Sequence, residues 1–265
     1  MDSLRNSVHE LTSANGVPVT QLQHINESLL KKYQLTCGNF LTVLPKEVEI
    51  YYVNRQAKPP YIDQNMQCMA VKKGEEDIWA LQSNRFGRVY IPLKGSGGID
   101  ICLSDSDGYA LCCTLKAAEI NGTVYWSQQK VRNVVLDTLC QHEGMEANAE
   151  NRERFINRLN EKQSITLLSV RETSIEGHVY HLHRRALRHR DKVAQLPLRS
   201  FMDIWNKQLN MDNVKRITLY MSAHPEEDIL EVMRRQQFRY IPAEIRVRYG
   251  IGRKVKLYEE TMPAD

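Results

Sequence analysis

The stretch over residues 87–122 constrains the fold more than any other part of the chain. It holds three short apolar runs, at residues 89–91, 99–103 and 110–115, which are separated by glycines and by an Asp-Gly turn. Short β-rich runs punctuated in this way are typical of neighbouring antiparallel strands. We therefore expect a buried antiparallel sheet at the centre of the first half of the chain.

Helical and extended patterns alternate along the rest of the chain. Residues 19–33 carry Leu22, Ile25 and Leu29 at helical spacing, and Ser127 is a suitable N-cap for a helix that continues to Gln141. Residues 1–18 are polar and are expected to be frayed. Further helices are expected over 152–162, 198–209 and from 225, with strands over 48–53, 164–170, 214–221 and 245–249.

The predicted fold class is α+β, with an antiparallel, β-rich amino-terminal half and a carboxyl-terminal half of mixed helices and strands. Two domains, 19–122 and 123–258, fit this change of character, and one continuous domain fits it as well. A chain of 265 residues is long enough for either arrangement.

Composition argues against a membrane protein and against an exported one. No apolar run approaches the roughly 20 residues that a membrane span needs, and the amino terminus lacks the apolar core of a signal peptide. The six cysteines contain no CxxC pair, and those within apolar runs behave as small hydrophobic residues. We expect a reduced, cytoplasmic protein with no membrane partner.

The net charge of +4 is unevenly distributed along the chain. Residues 234–256 contain many Arg and Lys residues but only one acidic residue, Glu244. Residues 184–192 likewise contain several basic residues and a single acidic residue, Asp191. Such clusters favour polyanions, nucleic acid among them. A solvated basic face explains the pattern equally well, so both interpretations stay open.

The chain contains no P-loop, GxGxxG, HExxH or GxSxG motif. The glycine cluster at 94–98 precedes a predicted strand and not a helix, so we interpret it as a turn and not as a phosphate-binding loop. The histidines cluster at His178, His181, His183 and His189, and two of these imidazoles could bind a metal ion, but no Cys, Asp or Glu motif completes a site. We therefore predict neither a metal nor an organic cofactor.

Glu47 and Glu49 lie on either side of Val48, so on a strand both carboxylates point to one face. A carboxylate held against apolar strand neighbours can act as a general base, whereas solvated acids on an edge strand are the alternative. Tyrosines in the same half, Tyr51 and Tyr61 among them, can stack on a planar base or pack in the core.

Several of these residues occur in the order found in a known family. The order is Leu29-Leu30, Glu49-Ile50-Tyr51, Gly87-Arg88-Val89-Tyr90, Ile101-Cys102-Leu103 and the apolar run 110–122, which has an acid and a glycine near its end. Over residues 25–122 the chain thus resembles the alkyladenine (3-methyladenine or methylpurine) DNA glycosylases. The resemblance implies a protein with a glycosylase-like fold, which excises a modified base by hydrolysing the N-glycosidic bond of that base.

The resemblance also assigns roles to individual residues. It implies that Glu49 activates the water that attacks the sugar C1′, and that Tyr51 stacks on the flipped base. Tyr61 stands close to the position of the family's pocket histidine, and Ser104 stands at the position of an asparagine. Together with Tyr90, these residues form the expected base-binding set.

Phosphate contacts are expected from Lys116, which replaces a family arginine, and from the basic residues Arg246, Arg248 and Arg253. Pro92 stands where the family has a second stacking tyrosine. We therefore expect either a base specificity that differs from that of the family or a loss of catalysis.

The sequence predicts a protein that acts on nucleic acid, and DNA is favoured over RNA as its partner. One alternative is a noncatalytic nucleic-acid-binding protein that uses the basic carboxyl-terminal half. The other is an interaction protein of a bacterial accessory system, whose basic faces meet an acidic partner.

Overall fold

The structure, a computed structural model, describes residues 1–13, 18–58, 60–66, 78–93, 97–184, 196–202 and 213–258. The chain divides into two compact units, unit 1 (Met1–Trp205) and unit 2 (Asn206–Asp265). Unit 1 combines helices with an antiparallel sheet, and the described part of unit 2 is helical. The predicted α+β class is confirmed.

All described strands belong to one sheet of unit 1, and each of their pairings is antiparallel. The strands are β1 (Tyr33–Cys37), β2 (Leu41–Asn54), β3 (Tyr61–Ile62), β4 (Val89–Tyr90), β5 (Asp100–Cys102), β6 (Tyr109–Ile120), β7 (Thr123–Tyr125), β8 (Leu168–Val170), β9 (Val179–Leu182) and β10 (Arg199–Met202). The main path of the sheet runs β4-β5-β6-β2-β1-β8, while β3 and β10 also pair with β2, β7 pairs with β6, and β9 pairs with β10.

The described helices of unit 1 are α1 (Asp2–Ser13), α2 (Val19–Lys32), α3 (Ile78–Gln82), α4 (Gln128–His142) and α5 (Ala149–Asn160). On the main-core face of the sheet, α2 packs on β2 and β10, α4 packs on β6, and α1 and α5 pack on α2 and α4 respectively. Helix α3 lies on the opposite face, where its apolar residues pack with Cys102 and Cys112. Among the residues that the structure describes, no helix is both long and apolar enough to cross a membrane.

The main core forms where alternate residues of β2 meet these helices. Val48, Ile50 and Tyr52 are buried in one cluster with Leu22 and Ile25 of α2. Successive strand residues point to opposite faces, so the residues between them must face away from this core. The far face of β2 therefore carries Glu47, Glu49 and Tyr51.

The central stretch 87–122 forms the antiparallel strands expected of it. Ile101 of β5 pairs with both Val89 of β4 and Cys113 of β6. Gly87 has φ +82, and a Cβ there would lie 2.7 Å from a side-chain carbon of Thr166, so only glycine fits. Of the predicted glycine turn, residues 94–96 lie outside the described part of the chain.

The expected helices 19–33 and 128–141 are confirmed as α2 and α4. Ser127 caps α4 as predicted, because its side-chain oxygen accepts a hydrogen bond from the backbone N–H of Lys130. Residues 1–18, in contrast, are not frayed over α1. Leu4, Val8 and Leu11 recur at helical spacing and are buried in the main core, which anchors this helix.

Three predicted elements after residue 197 are wrong where the structure describes them. Residues 199–202 of the predicted helix 198–209 form strand β10, and residues 203–209 lie outside the described part. The predicted strands 214–221 and 245–249 are helices α6 (Asn213–Ala223) and α8 (Ala243–Arg248). Their β-branched residues suggested strands, but Val214, Ile217 and Met221 are buried at helical spacing.

Unit 2 also contains helix α7 (Ile229–Arg235), which begins four residues later than the expected start at residue 225. Asp228 is its N-cap, since its carboxylate accepts hydrogen bonds of 2.9 Å from the backbone N–H groups of Leu230 and Glu231. The basic residues at its carboxyl-terminal end are where they were expected.

The boundary between the two compact units falls between Trp205 and Asn206 in the sequence. The boundary between the two predicted domains falls between residues 122 and 123. The latter position separates β6 from β7, which pair with each other. Helix α4, which follows, packs on the same sheet. Residues 123–202 thus belong to the sheet-based unit.

Asn26 of α2 joins the helical layer to the sheet. Its amide nitrogen donates hydrogen bonds to the backbone oxygen of Leu198 at 3.0 Å and to the hydroxyl of Ser200 at 2.9 Å, and its amide oxygen lies 3.3 Å from the sulfur of Cys113. The Asn26 side chain is fully buried. These contacts position β10 beside β2.

We expect Asn26→Ala to lower the free energy of unfolding by about 2 kcal/mol, because it removes two buried hydrogen bonds, to Leu198 and to Ser200. Urea denaturation measures this change. Asn157→Ala is the matched control, since Asn157 is an exposed residue of helix α5. Equal losses in the two variants would contradict the role of Asn26.

Candidate active site

A row of polar side chains crosses the sheet on the face opposite the main core. Thr114 of β6 pairs with Glu49 of β2 on one side and with Asp100 of β5 on the other. Tyr51 and Lys116 lie two residues further along their strands, on the same face. Strand register therefore brings together residues that are more than 60 positions apart in the sequence.

A cavity of about 80 Å³ opens against this row. That volume holds several water molecules, at roughly 10–15 Å³ for each. The described backbone around it includes Gly97 and Gly98 from the turn before β5. Its polar lining comprises Tyr51, Asn65, Gln82, Asp100, Thr114, Lys116 and Gln128.

Glu49 is not among the residues that line the cavity, but it contacts two that are, Tyr51 and Lys116. It is 1% exposed and accepts a hydrogen bond from the Tyr51 hydroxyl. The Lys116 ammonium lies 3.4 Å from its Oε1 and also donates a hydrogen bond of 2.9 Å to Gln128. Burial and the neighbouring carboxylate hold the pKa of Tyr51 well above its usual range, so the phenol remains a donor to Glu49.

Asp100 is a second buried carboxyl group on the same row. It accepts hydrogen bonds from the Thr114 hydroxyl and, at 3.1 Å, from the Gln82 amide of helix α3. Burial raises its pKa to about 6, while those two hydrogen bonds and Lys116 act in the opposite direction. The site thus contains two carboxyl groups in different surroundings.

Tyr51 is held from a further side by Arg184. The guanidinium lies 5.0 Å from the centre of the Tyr51 ring, within the range of a cation–π contact. Arg184 is itself buried and forms an ion pair with the buried Asp63. On the same sheet face, Arg199 of β10 forms a buried ion pair with Glu47.

The predicted base-binding residues separate into two groups. Tyr51 lines the cavity, and Tyr90 is buried close to it in a cluster that includes Met66 and Cys112. Tyr61 lies elsewhere, because its ring packs against Tyr52 in the main core at a centroid distance of 5.2 Å.

Ser104 has a local structural role. Its hydroxyl, which has one proton to donate, lies 2.6 Å from the backbone oxygen of Tyr109 and 2.9 Å from that of Ser106, and it accepts a hydrogen bond from the backbone N–H of Asn84. It therefore holds the turn between β5 and β6, and it is not among the residues that line the cavity.

The predicted phosphate-binding residues also separate. Lys116 belongs to the cavity, while Arg246, Arg248 and Arg253 belong to unit 2. The Arg246 guanidinium donates to the backbone oxygens of Gly252 and Val255, which ties it to the loop after α8. Arg248 and Arg253 are exposed.

Sequence patterns did not indicate Asp100, Thr114, Gln82 or Arg184 as site residues. Alternation along β6 was a usable signal for Thr114, which stands two residues before Lys116. The positions of Asp100 and Gln82 depend on which strands become neighbours and where helix α3 packs. No local motif encodes either of these.

The histidine cluster is only partly described, since His189 lies outside the described residues. His181 Nδ1 lies 2.8 Å from the Ser200 hydroxyl, and His178 packs edge-on against Tyr180. Among the described residues, His224, Glu226 and Glu227 of unit 2 lie close enough together to offer ligand atoms to one metal ion. Glu227 there already accepts hydrogen bonds from Tyr220 and Arg235.

No family model matches the chain, and no curated protein sequence matches it. The resemblance to the alkyladenine DNA glycosylases therefore rests on the motifs within residues 25–122. The polar and charged side chains around the cavity give separate evidence about function.

The stability of the protein should depend on pH through Asp100. A carboxyl group whose pKa is raised on folding, here from 3.8 to about 6, binds its proton more tightly in the native state. Its contribution to stability is therefore present at low pH and is lost as the pH rises through 6. From pH 4 to pH 7 we expect Asp100→Asn to gain about 2–3 kcal/mol in unfolding free energy relative to the wild type.

Urea denaturation of both proteins across this pH range measures the effect. Asp107→Asn, at an exposed turn, is the matched control for the loss of one negative charge. A difference between Asp100→Asn and wild type that stays constant with pH would contradict the role of burial. The same pH-dependent change in the control would attribute it to net charge.

Proposed function

We propose that this protein hydrolyses the N-glycosidic bond of a modified base in nucleic acid, in DNA more than in RNA. The observation that carries the proposal is the Glu49 carboxylate, which is buried beside a polar cavity and contacts Tyr51 and Lys116. The sequence motifs that resemble the alkyladenine DNA glycosylases include the same Glu49 and Tyr51.

The chemistry follows from this arrangement. A water molecule in the cavity gives a proton to Glu49 while its oxygen forms a bond with the sugar C1′. The bond between C1′ and the base nitrogen breaks, and its electron pair leaves with the base. Lys116 and the Tyr51 hydroxyl orient the Glu49 carboxylate for this step.

Tyr51 is suited to a second task. Its ring lines the cavity and is partly exposed there, so one part of it is available to a planar base. Arg184 and the hydrogen bond to Glu49 restrict the ring's orientation. A rigid aromatic ring is what stacking on a flipped base requires.

We expect Glu49→Gln to reduce base release by at least about 100-fold, since general-base catalysis commonly contributes 10²–10⁴-fold. Duplex oligonucleotides, each with one methylated, deaminated or etheno-modified base, are incubated with the protein and then cleaved at abasic sites with alkali. Glu153→Gln, on the exposed face of α5, is the matched control and should retain wild-type activity.

Circular dichroism and thermal melting establish that Glu49→Gln is folded. Wild-type activity in this folded variant would remove Glu49 from the mechanism. A wild-type protein that leaves every duplex of a broad panel intact would reject glycosidic hydrolysis as the function.

Unit 2 favours a second candidate, nucleic-acid binding without catalysis. Its described surface combines exposed basic side chains with two exposed tyrosines, Tyr240 at 67% and Tyr258 at 49%. Basic residues supply phosphate contacts and aromatic rings supply stacking in proteins that bind single strands. The exposed basic residues include Arg239, Arg248, Arg253, Lys254 and Lys256.

We expect the double variant Arg253→Ala/Lys254→Ala to bind DNA more weakly and with a shallower dependence on salt. Loss of two phosphate contacts should reduce the slope of log K against log[salt] by about 1–2. Fluorescence anisotropy with a labelled oligonucleotide at several salt concentrations measures both quantities.

Arg154→Ala/Lys162→Ala removes the same charge from exposed positions of unit 1 and is the matched control. Equal slopes in the two double variants would show that binding follows net charge and not the surface of unit 2. Tight binding together with unaltered substrate in every assay would favour the noncatalytic candidate.

A further inference from the structure

Two cysteines of the sheet face each other across neighbouring strands. Cys102 of β5 pairs with Cys112 of β6, and their sulfur atoms lie 3.9 Å apart. Cys102 is 0% exposed and Cys112 is 1% exposed, and both belong to the buried cluster on the cavity face of the sheet. The proposed hydrolysis gives neither thiol a role.

The backbone hydrogen bonds show that these cysteines form the closer kind of antiparallel pair. The Cys102 N–H donates to the backbone oxygen of Arg88 at 2.8 Å, and the Cys102 oxygen accepts from the N–H of Gly87 at 2.9 Å. Both groups thus face the β4 side, so Cys102 and Cys112 are a non-hydrogen-bonded pair, with Cα atoms about 4.5 Å apart. A disulfide joins Cα atoms separated by roughly 4.4–6.8 Å, so the two sulfurs can bond without displacing the strands.

The cavity gives a small molecule access to one of the two sulfurs. Cys112 is among the residues that line the cavity, whereas Cys102 is not. The volume of about 80 Å³ holds several water molecules. Hydrogen peroxide is small enough for such a space, while a peptide disulfide such as oxidised glutathione is too large. A peroxide in the cavity therefore meets Cys112 first, with Cys102 directly beside it.

A buried guanidinium group interacts with both thiols. Arg85 is 0% exposed, and its terminal nitrogens donate to three backbone oxygens and one serine hydroxyl, all of them uncharged acceptors. Its Nε is also buried and has no hydrogen-bond partner among the described residues. Burial lowers the pKa of Arg85, while the thiols of Cys102 and Cys112 act in the opposite direction. Positive charge beside a thiol favours the thiolate, which is the form that attacks an oxidant.

We infer that Cys102 and Cys112 are a redox modification site, at which hydrogen peroxide in the cavity converts the two thiols into a reversible disulfide. Cys112 is the cysteine that reacts with the peroxide, and Cys102 is the resolving cysteine. This site goes beyond the proposed function and does not depend on it.

The oxidation proceeds in two balanced steps. The Cys112 sulfur attacks one peroxide oxygen, the O–O bond breaks, and the other oxygen leaves as water with the thiol proton, which gives a sulfenic acid. The Cys102 sulfur then attacks the Cys112 sulfur, the S–O bond breaks, and a second water leaves with the Cys102 proton. Two electrons pass from the sulfurs to the peroxide. A dithiol reductant reverses the modification by thiol–disulfide exchange.

Peptide mapping of the folded wild-type protein tests the inference. The protein is treated with hydrogen peroxide, and the remaining thiols are then blocked with N-ethylmaleimide in denaturant before digestion and mass spectrometry. We expect most of the protein to contain a Cys102–Cys112 cross-link that is absent before treatment and is lost after dithiothreitol. Cys113 should remain a free thiol, because its side chain lies in the main core.

Variants identify the cysteines that react. Cys112→Ala should abolish the cross-link, whereas Cys113→Ala, the matched control at the next residue, should retain it. Oxidation of the half-buried Cys37 with both Cys102 and Cys112 left as free thiols would overturn the inference. A cross-link from either cysteine to Cys68, which lies outside the described residues, would overturn the pairing, as would a cross-link between two chains. The wild-type map decides these outcomes even if Cys112→Ala does not fold.

The size of the oxidant tests the route through the cavity. Cumene hydroperoxide carries the same O–O bond on a bulky aromatic group, so at equal concentration it should leave the pair reduced in the folded protein. Equally fast cross-linking by both peroxides would overturn the role of the cavity. Neither measurement needs nucleic acid, so a cross-link in a protein that releases no base would reject the proposed hydrolysis and leave the redox site standing.

Discussion

The antiparallel pairing of β2 with β6 is the constraint on which the rest of unit 1 depends. The two strands stay paired from Val43 opposite Ile120 to Asn54 opposite Tyr109, with an irregularity near Glu47. Because side chains alternate between faces, one register determines both the residues that meet the helices and those that line the cavity. A slip of one residue would exchange the two sets.

Burying the polar side chains of the cavity face lowers the stability of the fold, and this unfavourable free energy indicates that the face has a function. A carboxylate taken out of water without partners costs several kcal/mol, and apolar side chains would close the same space at lower cost. Here Glu49 and Asp100 are buried, and each has hydrogen-bonding partners on the same face. Expensive polar groups that meet at a cavity are typical of functional sites.

Short-range patterns predicted the central strands, helices α2 and α4, and the common face of Glu47 and Glu49. They failed where local preference and tertiary packing disagreed. Residues 214–221 contain β-branched residues that favour strands, yet they form a helix in which helical spacing buries Val214, Ile217 and Met221. Residues 245–249 also contribute to a helix, in which Ile245 is buried and Val247 is exposed. Residues 2–13 form α1 because Leu4, Val8 and Leu11 pack into a core whose other residues are distant in the sequence.

Within the candidate site the sequence by itself determined Glu49 and Tyr51, because two residues on one strand share a face whatever that strand pairs with. Only the tertiary structure could add Asp100 and Gln82, and could separate Tyr61 and Ser104 from the cavity. These outcomes depend on which strands are neighbours and on where α3 packs. Such long-range contacts arise from burial of the whole chain and leave no local pattern in the sequence.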